Sequence, residues 1–206
     1  MFCILVTGPP AVGKSSLTTY LSDRMQIPCI SKDKIKEILF DSIGFNSRDE
    51  KIKLNKAANE LLLSDMEMLM KGKQSFIVDN NFEKIHENQL RNVFFSYQYS
   101  VITITLLGEK KAIFKRYCTR NLSEDRHLGH VLNDKYPEEQ VDRTKIVVDY
   151  DSFLKEISIR GMESFDIGEP HLYYDTTQID ITIWETILFD IFNYLKENNL
   201  YTMEEK

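Results

Sequence analysis

Phe2 to Thr7 is a continuous apolar run of strand length, and Gly8-Pro-Pro-Ala-Val-Gly13-Lys14-Ser15 follows it without a gap. Leu17, Tyr20, Leu21 and Met25 then recur at helical spacing, so the glycines sit in a turn between a strand and a helix. That context narrows the choice of fold more than any other feature of the chain. A Gly-x-x-x-x-Gly-Lys-Ser turn in this setting wraps around an anion, because successive main-chain N–H groups and the helix N-terminus converge on one phosphate. Glycine permits the close approach and the unusual dihedrals. With glycine near 7% of residues, the four fixed letters recur by chance in about one chain of this length in a hundred, and the flanking elements make coincidence rarer. The expected nucleotide contacts are Gly8, Ala11, Val12, Gly13, Lys14, Ser15 and Ser16. Lys14 is expected against the β- and γ-phosphates, and the Ser15 hydroxyl on a magnesium ion.

The alternation of strand and helix continues along the chain. Ile27 to Ile30 reads as a second strand ending near Ser31-Lys32-Asp33, with a helix from about Lys34 to Phe40. Ser47 with Glu50 three residues on forms a capping box for a long helix bearing Leu54, Ala57, Ala58, Leu61, Leu62, Met66 and Leu69, which Gly72 stops. Phe76 to Val78 is a third strand ending at Asp79, and a helix runs from Glu83 to about Tyr97. Val101 to Leu107 is a strand rich in β-branched residues, followed by a helix from Glu109 to Thr119. Residues 120–136 are charged and carry Gly129 and Asn133, which predicts a loop or mobile lid. Pro137 fits the first turn of a helix carrying Val141, Val147, Phe153, Leu154 and Ile157. Leu172 to Tyr174 is a last strand closing at Asp175-Thr176, and Trp184, Ile187, Leu188, Ile191 and Leu195 mark the final helix. Tyr173, Tyr174 and Trp184 read as core aromatics.

Strands separated by helices imply an α/β fold, a mostly parallel sheet covered on both faces. Such sheets bind ligands at the carboxyl ends of their strands, which here carry Gly8, Asp33, Asp79, Gly108 and Asp175. No repeat or linker divides the 206 residues, so the chain reads as one domain, 1–206, with the lid at about 120–136 within it. Its 42% apolar content suffices for a packed core, and a net charge of -6 argues against a general nucleic-acid or membrane-surface binder. Cys3, Cys29 and Cys118 are too few and too scattered for a disulfide framework. The opening residues lack the basic start and length of a secretion signal, and no apolar run spans a membrane, so a cytoplasmic location is expected.

Two carboxylates and three arginines complete the candidate chemistry. Asp33, at the end of the second strand, is placed to act as general base or to orient an acceptor hydroxyl; its plainer reading is a helix N-cap. Asp79, an acid closing an apolar strand, fits the pattern that holds magnesium directly or through water, or else a turn. Residues 110–126 reverse the sign of this acidic chain, with Lys110, Lys111, Lys115, Arg116, Arg120 and Arg126 against Glu124 and Asp125. Arg116 and Arg120, four apart, share a helix face, and Arg126 lies in the lid, where closure would bring its guanidinium to a phosphoryl group. His127 and His130 lack a third metal ligand nearby, so a hinge or phosphate contact is the preferred reading.

The glycine loop, Ser31-Lys-Asp33, Val78-Asp-Asn80 and Arg120-Asn-Leu-Ser-Glu-Asp-Arg-His-Leu-Gly-His130 together resemble the small P-loop kinases related to the phage polynucleotide kinase domain and chloramphenicol phosphotransferase. Within that group the chain is similar to AAA-type ATP-binding kinases in which an Arg-His-x-Gly-His lid follows the fourth strand. The resemblance implies a three-layer P-loop NTPase fold with strand order 2-3-1-4-5, ATP and magnesium, Asp33 as base, lid arginines on the phosphates, and Asp175 near the adenine. Where several relatives have Asp-x-x-Arg, this chain has Asp33-Lys-Ile-Lys36, and Lys36 keeps the charge without the planar fork. Lys36 and Asp79 are expected to join Asp33 around the acceptor. The expected activity is transfer of the γ-phosphoryl group of ATP to a hydroxyl of a small molecule. The alternatives are a polynucleotide 5′-hydroxyl kinase, which the acidity disfavours, and a nucleotide-binding or hydrolysing switch without an acceptor. The acceptor and the oligomeric state stay open.

Overall fold

The structure, a computed structural model, describes residues 1–146 and 148–200. Five parallel strands form one sheet in the order β2-β3-β1-β4-β5. They are β1 (Phe2–Thr7), β2 (Cys29–Ser31), β3 (Phe76–Asp79), β4 (Ser100–Leu107) and β5 (His171–Asp175). The helices are α1 (Lys14–Met25), α2 (Lys32–Ile43), α3 (Arg48–Lys71), α4 (Glu87–Tyr97), α5 (Lys110–Leu122), α6 (Leu128–Val131), α7 (Tyr150–Arg160) and α8 (Ile181–Glu197). None of these helices is long and apolar enough to cross a membrane.

The unbroken apolar run of β1 follows from its central place, because both faces of a parallel sheet are covered. Phe2, Ile4 and Val6 point into a core closed by Leu17 and Leu21 of α1, Ile113 of α5, Phe153 and Ile157 of α7, and Ile187, Ile191 and Leu195 of α8. Cys3 and Leu5 point the other way, onto Leu62, Met66 and Met70 of α3 and Leu90 and Phe94 of α4. A third, smaller cluster joins Phe40, Phe45 and Leu54, with Tyr136 packed against it. The result is a helix–sheet–helix sandwich with an additional apolar patch beneath the segment after α5.

Most predicted elements are present, and the differences have local causes. The Ser47 Oγ accepts from Glu50 N at 3.2 Å, but Glu50 Oε2 accepts from Asn46 N at 2.7 Å rather than from Ser47, so the box is closed one residue early. Ala57 and Leu61 face solvent, since the buried stripe of α3 runs Leu54, Ala58, Leu62, Met66 and Met70. Arg120 belongs to the last turns of α5, which outlasts its predicted end. The helix expected from Pro137 does not form. Among the described residues 137–149 there is only a single 3-10 turn, Arg143–Lys145, and Val147 lies outside the described residues. Arg143 instead donates to Asn121 O at 3.2 Å and to Arg126 O at 2.7 Å, drawing the segment across the end of α5. The helix proper opens at Asp149, whose side chain accepts from Ser152 N at 2.9 Å. Tyr173 is 55% exposed and is not a core residue, whereas Trp184 is buried.

Ile187 is fully buried where α8 meets β1 and α1. Truncation by Ile187→Ala should lower the unfolding free energy by about 2–5 kcal/mol, the range for deleting a buried aliphatic side chain. Urea titration followed by circular dichroism measures it, and a loss under about 1 kcal/mol would show that α8 is not packed as described.

Candidate active site

A cleft of about 1060 Å³ opens over the carboxyl ends of the strands, between the loop after β1, the start of α2, the end of β3 and the outer turns of α5. Its volume is at the upper end of ordinary ligand pockets, so it has room for more than one ligand. Four groups of side chains line it.

The loop after β1 forms the floor. Gly8 has φ 127 and lies so close to β4 that a Cβ there would sit 2.2 Å from Leu106 O, which only glycine avoids. Ala11 (φ 65) and Gly13 (φ 98) turn the chain so that α1 begins at Lys14 with no side chain capping its first amides. Those amides remain for a ligand. Lys14 is 8% exposed, and its Nζ donates to Gly8 O at 2.9 Å and Pro9 O at 2.7 Å. Burial pulls its ammonium down to about 8, against the opposing pull of Asp79. Ser15 Oγ donates to Asp79 Oδ2 at 2.7 Å. Asp79 reaches this point because β3 pairs with β1 in the register Val6 to Asp79. Burial raises its carboxyl, opposed by Lys14 and Ser15. A hydroxyl and a carboxylate oxygen converging beside a phosphate-type loop are a hard-oxygen donor pair that fits magnesium.

The second wall is the inward face of α5. Arg116 and Arg120 line the cleft together, as their spacing predicts. Arg116 Nε and Nη2, Arg120 Nε and Arg126 Nε are buried without hydrogen-bond partners within the described residues. Burial also lowers Arg116 and Arg120. Guanidinium N–H groups left unpaired cost about 1–3 kcal/mol each, and an anion with many acceptor oxygens removes that cost. The arrangement therefore fits a triphosphate.

Asp33 supplies the third wall. Ser31, not Asp33, is the N-cap residue of α2, and neither side chain caps the helix, so the capping reading of Asp33 is excluded. The carboxylate is 46% exposed toward the cleft, with Lys36 Nζ at 3.6 Å, Arg126 Nη1 at 3.8 Å and His130 Nδ1 at 4.0 Å. Burial would raise its pKa, but the cations Lys36 and Arg126 outweigh burial and hold it below the usual carboxylate range. His130 itself is driven down to about 3, first by burial, and stays neutral.

The fourth wall is the segment after α5, which is docked on α2 rather than open. His127 Nε2 pairs with Asp41 Oδ1 at 3.0 Å and His130 Nε2 with Glu37 Oε1 at 2.8 Å. Tyr136 OH donates to Asp41 Oδ1 at 2.6 Å, and the backbones of Phe45 and Tyr136 exchange hydrogen bonds at 2.8 and 2.7 Å. A Cβ on Gly129 would lie 2.3 Å from Phe40 Cδ2, so α6 rests directly on an aromatic ring.

Residues 3–147, more than two thirds of the sequence, match the profile of a family described as the AAA domain. The chain belongs to that family. Of the solved structures similar to this AAA domain, a putative kinase from Chloroflexus aurantiacus has a TM-score of 0.73 at 25% identity, covering 93% of this chain and 97% of its own. A gluconokinase from Sinorhizobium meliloti shares the fold at a TM-score of 0.56 and 14% identity, over 99% and 98% of the two chains. A shikimate kinase from Bacteroides thetaiotaomicron does so at 0.54 and 12%, over 95% and 98%. No curated protein matches the sequence. Family and fold place this AAA domain among the small P-loop kinases.

Of the residues predicted for the site, Ala11, Gly13, Lys14, Ser15, Ser16, Asp33, Lys36, Asp79, Arg116, Arg120 and Arg126 all line this cleft of the AAA domain. Gly8 contributes a carbonyl to Lys14, and Val12 is buried in the core beneath the loop, so neither lines it. Asp175 does not line it either. Its carboxylate accepts from Thr177 N at 2.6 Å, and Thr177 and Ile179 line the cleft in its place. Lys115, counted in the basic run of residues 110–126, also lines it, and so do Lys32, Asn80 and Asn81, which were given no role from sequence. Lys32 lies inside the quoted Ser31-Lys-Asp33 motif, and Asn80-Asn81 directly follows Asp79, so position carried a signal. Thr177 and Ile179 offered none.

Because Phe40 leaves no room beneath α6, Gly129→Ala should loosen the segment after α5. Limited proteolysis should cut within residues 120–136 several times faster than in the unaltered protein, and an unchanged cleavage pattern would contradict the docking.

Proposed function

We propose that this kinase transfers the γ-phosphoryl group of ATP to a hydroxyl of a small-molecule acceptor. The observation that carries the reading is an ionised, uncapped Asp33 facing the same cleft as the phosphate-type loop, with Lys14, Ser15 and Asp79 on the opposite side. A switch needs the loop but has no use for a carboxylate on the far wall.

In this reading the loop amides and Lys14 hold the β- and γ-phosphates, and Lys14 gives up its bonds to the Gly8 and Pro9 carbonyls to do so. Magnesium held by Ser15 and Asp79 would supply charge neutralisation on the phosphate oxygens. Arg116 and Arg120 present their unpaired N–H groups to the triphosphate, and Arg126 stands between it and Asp33. Asp33 accepts a hydrogen bond from the acceptor hydroxyl and orients its lone pair along the line of attack. With a carboxyl below the usual range, Asp33 is a weak base but is always ionised near neutrality, which suits orientation followed by late proton uptake in a loose transition state. The docked segment at 120–136 excludes water from the far side. Soluble cytoplasmic placement fits this metabolite chemistry.

Asp33→Asn keeps shape and removes charge. It should lower kcat by about 10²–10⁴-fold while leaving the ATP dissociation constant within a few fold; full transfer activity in this variant would remove Asp33 from the mechanism. Lys14 gives a pH signature. In the free protein its ammonium deprotonates as pH rises through about 8, whereas a bound triphosphate favours the charged form. ATP affinity should therefore fall above that pH, and binding there should take up protons. Calorimetry in two buffers of different ionisation enthalpy tests this, and a heat independent of buffer would count against the assignment.

A further inference from the structure

The cations around the cleft are nearly all engaged by the reading above. Lys14 bonds the loop carbonyls, Lys36 and Arg126 flank Asp33, and Arg116 and Arg120 face the expected triphosphate. Lys32 stands apart. It is only 5% exposed, its side chain lines the cleft, and within the described residues its Nζ makes no hydrogen bond or ion pair. The nearby acid that could have served it, Glu83, is already held by Arg160 at 2.5 Å. The largest charges acting on Lys32 are Lys36, Glu83, Arg160 and Asp33. Lys32 opens α2 at the end of the edge strand β2, with β3 between it and the loop after β1, and thus lies beside Asp33 on the acceptor side rather than the nucleotide side.

Burial lowers the Lys32 ammonium to about 8, so the group is still mostly charged near neutrality. A buried cation without a partner is unfavourable unless a ligand supplies the counter-charge. The neighbouring Lys36 makes it more so, because the two like charges repel. A neutral polyol would leave the Lys32 ammonium uncompensated, because the carboxylate beside it, Asp33, is already paired with Lys36 and Arg126. We infer that the acceptor carries, besides its hydroxyl, an anionic group of its own, a carboxylate or a phosphoryl group, and that Lys32 binds it. The inference rests on the phosphotransfer reading for its hydroxyl and on the free Lys32 charge for its anion.

The test uses the full chain saturated with magnesium and a non-hydrolysable ATP analogue, which occupies the triphosphate site. This complex is titrated by calorimetry with inorganic phosphate, with glycolate and with ethylene glycol as the neutral control. At least one of the two anions should bind about tenfold or more tightly than ethylene glycol, and the tighter anion identifies the phosphoryl or carboxylate class. Lys32→Met, close in volume, should weaken that anion by about tenfold or more, and Lys32→Arg should restore most of the loss. The analogue's own affinity should stay within about twofold in both variants, because Lys32 stands at the end of the edge strand β2, away from the loop after β1. Equal anion binding in Lys32→Met and the unaltered protein, or binding of neither anion to the loaded complex, overturns the inference. So does a loss of analogue affinity in Lys32→Met, which would put Lys32 on the triphosphate. Failure of the unaltered protein to bind the analogue at all would sink the phosphotransfer reading instead.

Discussion

Parallel pairing of β1 between β3 and β4 puts the glycine loop at the middle of the sheet's carboxyl edge. The register Val6 to Asp79 then delivers a carboxylate to the first residues of α1, where the Ser15 hydroxyl meets it at 2.7 Å. The other walls of the cleft are arranged around that junction. β2 pairs Ser31 with Asp79 and so starts α2, and with it Lys32, Asp33 and Lys36, beside the loop. α5 follows β4 and turns Arg116 and Arg120 inward from the opposite side. A slip of one residue in the β1–β3 pairing would bury Asp79 in a core face and leave Ser15 without its partner.

The cleft reverses the charge of the chain. The whole sequence carries -6, yet the lining includes Lys14, Lys32, Lys36, Lys115, Arg116, Arg120 and Arg126 against Asp33, Asp79 and Asp125. Several of these cations are buried and some of their N–H groups are unpaired. Concentrating positive charge in a recess of an acidic surface confines anion binding to one place and repels polyanions elsewhere. Burial lowers the ammonium groups of Lys14 and Lys32, while for Asp33 the neighbouring cations outweigh burial and keep the carboxyl low.

The segment between α5 and α7 has a structural role of its own. His127 and His130 each pair with a carboxylate of α2, Phe40 packs beneath Gly129, and Arg143 ties the following turn to the end of α5. Lys51 of α3 reaches the Leu132 carbonyl and Asn133 from the other side. The two histidines thus anchor the segment that carries Arg126, whose Nη1 stands 3.8 Å from Asp33 Oδ2.

The sequence by itself determined the strands, the phosphate-type loop, the acid closing β3 and the paired arginines of α5. Each depends on neighbours within a few residues: an apolar run for β1, glycines that accept unusual dihedrals, and a four-residue helical repeat. The tertiary structure alone decided the rest. Asp33 faces the cleft among cations rather than capping a helix because α2 begins two residues earlier than its periodicity indicates. The helix expected at Pro137 is absent because Arg143 is drawn to carbonyls near residue 120. Asp175 turns onto Thr177 and leaves the cleft to Ile179, and Lys32 stays unpaired because Arg160, far along the chain, takes Glu83. Local patterns are set by the backbone's own periodicity, whereas a side chain's charge partners are chosen only when distant segments pack.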